Sequence, residues 1–237
     1  MLALSLVLYA PVAALTWDVE PEVWPYVIAS SVLELAYVIL LAAAYRRADL
    51  SVVYPVARGV TPVLVLVVGI ALLDAATSSG EVAGVLLVAG GVLLIRGFRV
   101  EPGHGVLFGL AIACAIAGYT LVDNGGIEHA DPFGYLELVM AGPALIYLGA
   151  ILATKGVGPV RAELTLSSLL AAAASFGAYG LALAALQLAS AASVAAVRET
   201  SIVIAVVLAA PVLRERVGRR RIAGAVVVVA GVALLSL

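Results

Sequence analysis

The sequence predicts an all-α integral membrane protein of about nine transmembrane helices arranged as two inverted repeats. Three observations predict this class: the composition, the length of the apolar runs and an internal repeat. Of 237 residues, 64% are hydrophobic and only 12% are charged, with a mean hydropathy of +1.18. Soluble domains carry roughly 45–50% apolar and about 25% charged residues, so this chain has too little polar surface to coat a water-soluble globule.

The same composition excludes two other classes of protein. Cys114 is the only cysteine, which excludes a disulfide scaffold. The formal net charge is −2 and no long basic tract is present, so no nucleic-acid partner is expected. The partners expected are the lipid bilayer and a small molecule.

The apolar runs predict helices and not a barrel. A membrane-spanning strand would alternate apolar and polar residues over about ten positions. Runs such as VLVLVVGIALL and GAVVVVAGVALL do not alternate. Polar and Gly/Pro punctuation divides the chain into nine predicted spans, at residues 2–15, 24–44, 52–73, 82–95, 106–122, 133–154, 164–186, 190–213 and 222–237.

The basic residues predict the orientation of these spans. Eleven of the 13 Lys and Arg residues fall in the turns after the second, fourth, sixth and eighth spans, and none falls in the intervening turns. Basic turns face the cytoplasm under the positive-inside rule. We therefore expect a multi-pass protein of the cytoplasmic membrane, with the N-terminus inside and the C-terminus outside.

An internal repeat relates the third and fourth spans to the last two. Residues from Arg58 onward align without a gap on residues from Arg198 onward, at an offset of 140. Matching glycines lie seven residues apart in each copy: Gly84 and Gly91 in the first, Gly224 and Gly231 in the second. Five helices separate the copies, so the copies face opposite ways, as in many secondary transporters. The glycines predict close helix packing.

Several segments resemble EamA-type proteins of the drug/metabolite transporter superfamily. They are YRRADLSVVYPVARGVTPVLV, the short Gly-Gly helix, GYTLVDNGG, AYGLALAALQLASAASVAAVRETS and VLRERVGRRRIAGAVVVVAGVALL. The resemblance covers nearly the whole chain. It implies two inverted five-helix repeats that move metabolites, amino acids or drugs across the cytoplasmic membrane. The spacing-seven glycines also resemble the last helix of small multidrug resistance proteins, which dimerise through it, so a homodimer stays open.

Alignment with the family leaves its first helix without a counterpart, so we expect a 4 + 5 arrangement. The first repeat would occupy residues 1–98 with four helices, and the second residues 99–237 with five. Family members are usually drawn with both termini in the cytoplasm, whereas the charges here place the C-terminus outside.

Two arginines, Arg58 and Arg198, remain inside predicted spans. An arginine at the centre of a membrane helix costs about 2.5–3.5 kcal/mol on insertion scales, so each needs a partner, a wet cavity or a route to the interface. Two interpretations stay open. Each arginine ties helices together through a carboxylate, or one or both bind an anionic group of the substrate.

Three acids and four tyrosines complete the candidate site. Glu34, Glu137 and Glu199 are candidates for proton coupling or ion pairing. Glu34 is the best placed of the three for proton coupling. The alternative for Glu34 is a salt bridge to Arg58 or Arg198. The aromatic candidates for substrate binding are Tyr37, Tyr54, Tyr119 and Tyr179. Asp123 is expected at a solvated helix end.

The sequence has no metal-ligand spacing, phosphate loop, nucleophile elbow or HExxH motif, so neither a cofactor nor an enzyme activity is expected. The leading hypothesis is a secondary-active transporter that works by alternating access between the two repeats. The alternative is a non-transporting membrane scaffold or an inactive, truncated relative.

Overall fold

The computed structural model of the chain describes residues 2–96, 104–213 and 218–235. These residues form helices joined by short turns, with one isolated antiparallel bridge between Val19 and Ala130. In chain order the α-helices are α1 Leu2–Leu15, α2 Trp24–Arg47, α3 Leu50–Leu73, α4 Ser79–Arg96, α5 His104–Gly126, α6 Pro132–Lys155, α7 Gly158–Ala162, α8 Leu166–Leu186, α9 Ala191–Arg198, α10 Thr200–Leu213 and α11 Arg219–Leu235; a 3₁₀ turn, Pro21–Val23, precedes α2.

The all-helical membrane class is confirmed. In the described ranges, six segments are long and apolar enough to cross a membrane: Pro21–Arg47, Leu50–Leu73, His104–Gly126, Pro132–Lys155, Leu166–Leu186 and Ala191–Leu208. Two shorter apolar helices, Leu2–Leu15 and Ser79–Ile95, accompany them. The count of nine spans stays a prediction.

Aspartate side chains cap the N-termini of two apolar helices, α3 and α6. The Asp49 carboxylate accepts a hydrogen bond from the Ser51 backbone N–H at 2.8 Å and caps α3. The same bond holds the pKa of Asp49 below its ordinary value. Asp131 caps α6 by accepting from the N–H groups of Phe133 and Gly134. Capping leaves fewer orphan backbone donors at the start of each apolar helix.

Most predicted helix ends differ from the observed ones by one to three residues, and two spans differ more. The predicted span 190–213 is divided into α9 and α10 at Glu199. One physical reason lies in the next residue: the Thr200 hydroxyl donates to the Val197 carbonyl at 2.7 Å, which competes with the regular helical ladder. The predicted span 106–122 is longer in the structure, since α5 continues to Gly126.

The helices form two compact units, each of which draws on both halves of the sequence. Unit 1 comprises Met1–Leu35 and Val122–Leu188, and unit 2 comprises Ala36–Leu121 and Ala189–Leu237. In unit 1, α1 packs on α6 and α8. In unit 2, α4 packs on α3, α9 and, most extensively, α11. The segments related by the sequence repeat therefore lie together in unit 2, while the division at residues 98 and 99 stays a prediction.

Candidate functional site

Unit 2 contains an ion pair between Arg58 of α3 and Glu199 at the α9–α10 break. The Arg58 Nη1 atom donates to Glu199 Oε1 at 3.1 Å. The Glu199 side chain is only 3% exposed, whereas that of Arg58 is 32% exposed. The pair joins a helix of the first sequence repeat to a helix of the second.

The helix break at Glu199 has a defined hydrogen-bond pattern. The Glu199 N–H donates to the Ala196 carbonyl, and the Ile202 N–H donates to the Glu199 carbonyl, both at 3.0 Å. Bonds between residues three apart belong to a 3₁₀ turn, which is tighter than the α-helix and often marks a functional position. The chain therefore places a buried carboxylate at an irregular point of a helix that is long and apolar enough to span the membrane.

The Arg58–Glu199 pair keeps unused hydrogen-bonding capacity. Glu199 Oε2 is buried and has no hydrogen-bond partner among the described residues. Among the described residues, one hydrogen bond is found for Arg58, and it comes from Nη1. Because a guanidinium carries five N–H donors, several donors of Arg58 remain available. Thr120 Oγ1, also in unit 2, is buried without a described partner. A pair with a free acceptor and several free donors can accommodate a polar ligand.

Three of the four predicted tyrosines lie in unit 2 with Arg58. The Arg58 guanidinium carbon lies 5.5 Å from the centre of the Tyr54 ring, within the range of a cation–π contact. Tyr119 is buried and close enough to Arg58 to interact electrostatically. Tyr37 meets Tyr119 edge to face, with ring centres 6.2 Å apart. Tyr54 thus contacts the cation directly, and Tyr37 is connected to it through Tyr119.

Arg198, the repeat counterpart of Arg58, is half-buried. It lies next to Glu199 in the chain and interacts with that carboxylate electrostatically, while the direct hydrogen bond to Glu199 comes from Arg58. The ion pair joins the two copies of the repeat, because Glu199 directly follows Arg198, the position that matches Arg58.

Unit 1 holds a second polar cluster, centred on Asp123. The Asp123 carboxylate accepts hydrogen bonds from Ser30 Oγ at 2.5 Å, Tyr135 Oη at 3.0 Å and Tyr179 Oη at 2.7 Å. The Tyr179 hydroxyl also lies 2.9 Å from Glu34 Oε1. Glu34 and Asp123 are both buried. One tyrosine therefore joins two carboxylates.

The expectation for Asp123 was wrong: it is 1% exposed instead of solvated at a helix end. The physical reason is the extension of α5 to Gly126, which places Asp123 one turn inside the helix. Ser30 and Glu34, four residues apart on α2, share a helix face, and this spacing was the available signal for a polar cluster.

Glu137 of unit 1 belongs to neither cluster by hydrogen bonding. It lies in the second turn of α6, is half-buried, and its Oε1 atom has no hydrogen-bond partner in the described part of the chain. No hydrogen bond found among those residues connects Glu137 to Arg58, Glu34 or Asp123.

The four repeat glycines lie together where α4 meets α11. A Cβ atom built on Gly91 would lie 2.8 Å from the Gly224 carbonyl oxygen, and one built on Gly231 would lie 2.8 Å from the Gly84 carbonyl oxygen. These distances are shorter than real Cβ contacts, so the backbones approach as closely as only glycine permits. No group of three metal-ligating side chains occurs in residues 2–96, 104–213 and 218–235.

Comparisons with known proteins agree with the fold. The model of the EamA-like transporter family matches residues 103–237. No curated protein matches the sequence. One solved crystal structure superposes with a TM-score of 0.73 over 99% of this chain and 83% of the other, at 18% sequence identity. At that identity the likeness concerns the fold alone.

Proposed function

Because this chain belongs to the EamA-like transporter family, we propose that it is a secondary-active transporter of small metabolites, amino acids or drugs. Inverted repeats that rock about a central site would provide alternating access. The sequence contains no nucleotide-binding phosphate loop, so we propose that an ion gradient or the substrate's own gradient drives transport.

The observation that carries this proposal is the Arg58–Glu199 pair within apolar helices. A buried ion pair seldom adds net stability over apolar packing, because desolvation cancels most of the attraction. Charged side chains at membrane depth therefore suggest a functional site. The Arg58 side chain is partly exposed and has spare donors, so it can bind a carboxylate or a similar anionic group of the substrate.

We further propose that Glu199 couples this binding to a proton. An anionic group on Arg58 would compete with Glu199 for the guanidinium. A buried carboxylate that loses its cation is strongly destabilised unless it becomes neutral. Glu199 would then take up one proton as the substrate binds, so that the site carries the same net charge with and without substrate.

The charged and titratable groups around Glu199 support this exchange. From α3, Arg58 donates to its carboxylate, and Tyr54 packs on Arg58. Arg198 is its neighbour in the chain. Glu81 of α4 bonds instead to Ser193, at the opposite end of α9. Arg58 is thus the group whose departure would change the charge on Glu199 most.

An uptake screen tests the transporter assignment. Purified protein in proteoliposomes would be offered amino acids, organic acids and lipophilic dyes, with empty liposomes as the control. We expect uptake of at least one compound that carries a carboxylate or a similar anion. Binding without uptake of any compound would instead favour the scaffold alternative.

The pH dependence of binding tests the role of Glu199. If one proton binds with each anionic substrate, the apparent affinity should rise about tenfold per unit fall in pH while free Glu199 is ionised. Glu199→Gln should remove this slope and retain binding, because Arg58 is still present. An unchanged slope in Glu199→Gln would contradict proton coupling at this residue.

A further inference from the structure

A groove in unit 1 shares no lining residue with either polar cluster. It has a volume of about 570 Å³ and is lined by α1, α6, α7 and the turn after α7. Its walls are apolar, with Leu4 and Val7 from α1, Leu148 from α6 and Val160 from α7 among them. This size is within the range of sites that bind small organic ligands or part of a lipid.

The apolar walls of the groove are exposed at the surface of the protein. Val7 is 74% exposed, Tyr147 45% and Leu164 64%. Lining residues of α6 extend from Ala144 to Lys155, the last residue of a helix that is apolar and long enough to span a membrane. Eleven residues of helix rise about 16 Å. In a bilayer, the groove would therefore extend from the headgroup level into the hydrocarbon and contact acyl chains.

Two charged side chains line the polar end of the groove: Lys155 at the end of α6 and Glu163 after α7. The Ser168 hydroxyl donates to Glu163 Oε2 at 3.3 Å and orients the carboxylate. One cation and one anion beside an apolar wall complement a zwitterionic amphiphile. The lysine suits a phosphate, and the carboxylate suits a group with N–H donors.

We propose that this groove binds a phosphatidylethanolamine. An acyl chain lies along α1 and α6, the phosphate contacts Lys155, and the primary ammonium donates to Glu163. Phosphatidylcholine lacks N–H donors and cannot make the bond to Glu163. Phosphatidylglycerol places its negative charge near the same carboxylate without an ammonium to balance it. The bound lipid would fill the groove that α1, α6 and α7 line.

Native mass spectrometry of the detergent-purified chain tests this proposal directly. Phosphatidylethanolamine, phosphatidylcholine and phosphatidylglycerol with identical acyl chains would be titrated separately. We expect the ethanolamine lipid to bind about tenfold more tightly than the choline lipid, as one charge-assisted hydrogen bond would give. Equal affinities for the two lipids, or tighter binding of phosphatidylglycerol, would overturn the proposal.

Matched variants assign the two charges. Lys155→Gln should weaken binding of all three lipids, and Glu163→Gln should remove only the preference for ethanolamine over choline. Arg161→Gln is the control, because Arg161 of α7 lies between Lys155 and Glu163 in the chain and does not line the groove. Equal effects of Lys155→Gln and Arg161→Gln would indicate general surface charge and contradict a defined site.

A third variant tests the groove without altering charge. Ala162 lines the groove and is exposed, so Ala162→Phe should fill part of the space while leaving the fold intact. We expect at least about a tenfold loss of phosphatidylethanolamine binding at an unchanged unfolding temperature. Undiminished binding would overturn the proposal. If the wild-type chain self-associates and Ala162→Phe abolishes that association without loss of lipid, the proposal is also overturned, and the occupant is a second copy of the chain.

Discussion

At the scale of single residues, Arg58 and Glu199 show what a sequence can predict about a buried charge. Both residues were candidates because a charged side chain inside an apolar helix costs free energy. Their pairing could not be predicted, because it depends on how α3 approaches the α9–α10 break. The repeat related Arg58 to Arg198, yet the direct hydrogen bond to Glu199 comes from Arg58.

Removing one member of this pair should destabilise the protein more than removing both. Arg58→Gln leaves the Glu199 carboxylate buried without its cation, which should lower the free energy of unfolding by about 3 kcal/mol. Arg58→Gln/Glu199→Gln should recover most of that loss. Unfolding temperatures in detergent would measure the difference, with Arg47→Gln at the exposed end of α2 as the control. Equal stability of the single and double variants would contradict the pairing.

Asp123 gives a second prediction at the residue scale. Asp123→Ala removes the acceptor of three hydroxyl groups, from the buried Ser30 and Tyr135 and the half-buried Tyr179, and should cost about 2–3 kcal/mol of stability. Asp123→Asn keeps an acceptor oxygen, so its effect should be smaller. Thermal unfolding would compare the two variants. Equal losses of stability for Asp123→Ala and Asp123→Asn would contradict a stabilising role of the acceptor oxygen. The sequence missed this cluster because the end of α5 was placed four residues too early.

At the scale of helices, spans and close packing were easier to predict than breaks. Apolar runs and repeated glycines are visible as patterns, and the structure places Gly84, Gly91, Gly224 and Gly231 where α4 meets α11. The break at Glu199 has no such pattern. This break coincides with a side-chain hydrogen bond from Thr200 and with the ion pair between Arg58 and Glu199. Neither interaction alters the pattern of apolar residues in the sequence.

Neighbouring glycines provide a sharp test of the α4–α11 packing. Gly91→Leu would force a side chain into the Gly224 carbonyl and Val228, and overpacking should cost about 1–3 kcal/mol. Gly90→Leu is the control, because a Cβ built on Gly90 meets no described atom within 4 Å. Thermal unfolding should therefore separate these adjacent substitutions. A similar loss for both would mean that α4 is merely intolerant of leucine.

At the scale of the whole molecule, composition predicted a membrane protein, and the length and lack of alternation of the apolar runs predicted that it is helical. The chain is divided into compact units differently from its sequence halves, because each unit gathers helices from both halves. That interleaving depends on tertiary packing, which the repeat does not encode.

The orientation predicted from the basic turns can be tested by labelling. On a Cys114-free background, Ser78→Cys should react with a membrane-impermeant maleimide added outside intact cells. Val157→Cys should react only after permeabilisation, since it follows the basic end of α6. Both positions are exposed in the fold. The reverse pattern would invert the topology.

Substrate counterflow in proteoliposomes tests the central claim, that Arg58 forms part of the transport site, most directly. Wild type, Arg58→Gln and Arg47→Gln would be reconstituted at equal amounts of folded protein and offered the compounds found in the uptake screen. The account predicts that Arg47→Gln transports at the wild-type rate and that Arg58→Gln loses counterflow at least tenfold. A folded Arg58→Gln protein that exchanges the same substrate at the wild-type rate would contradict it.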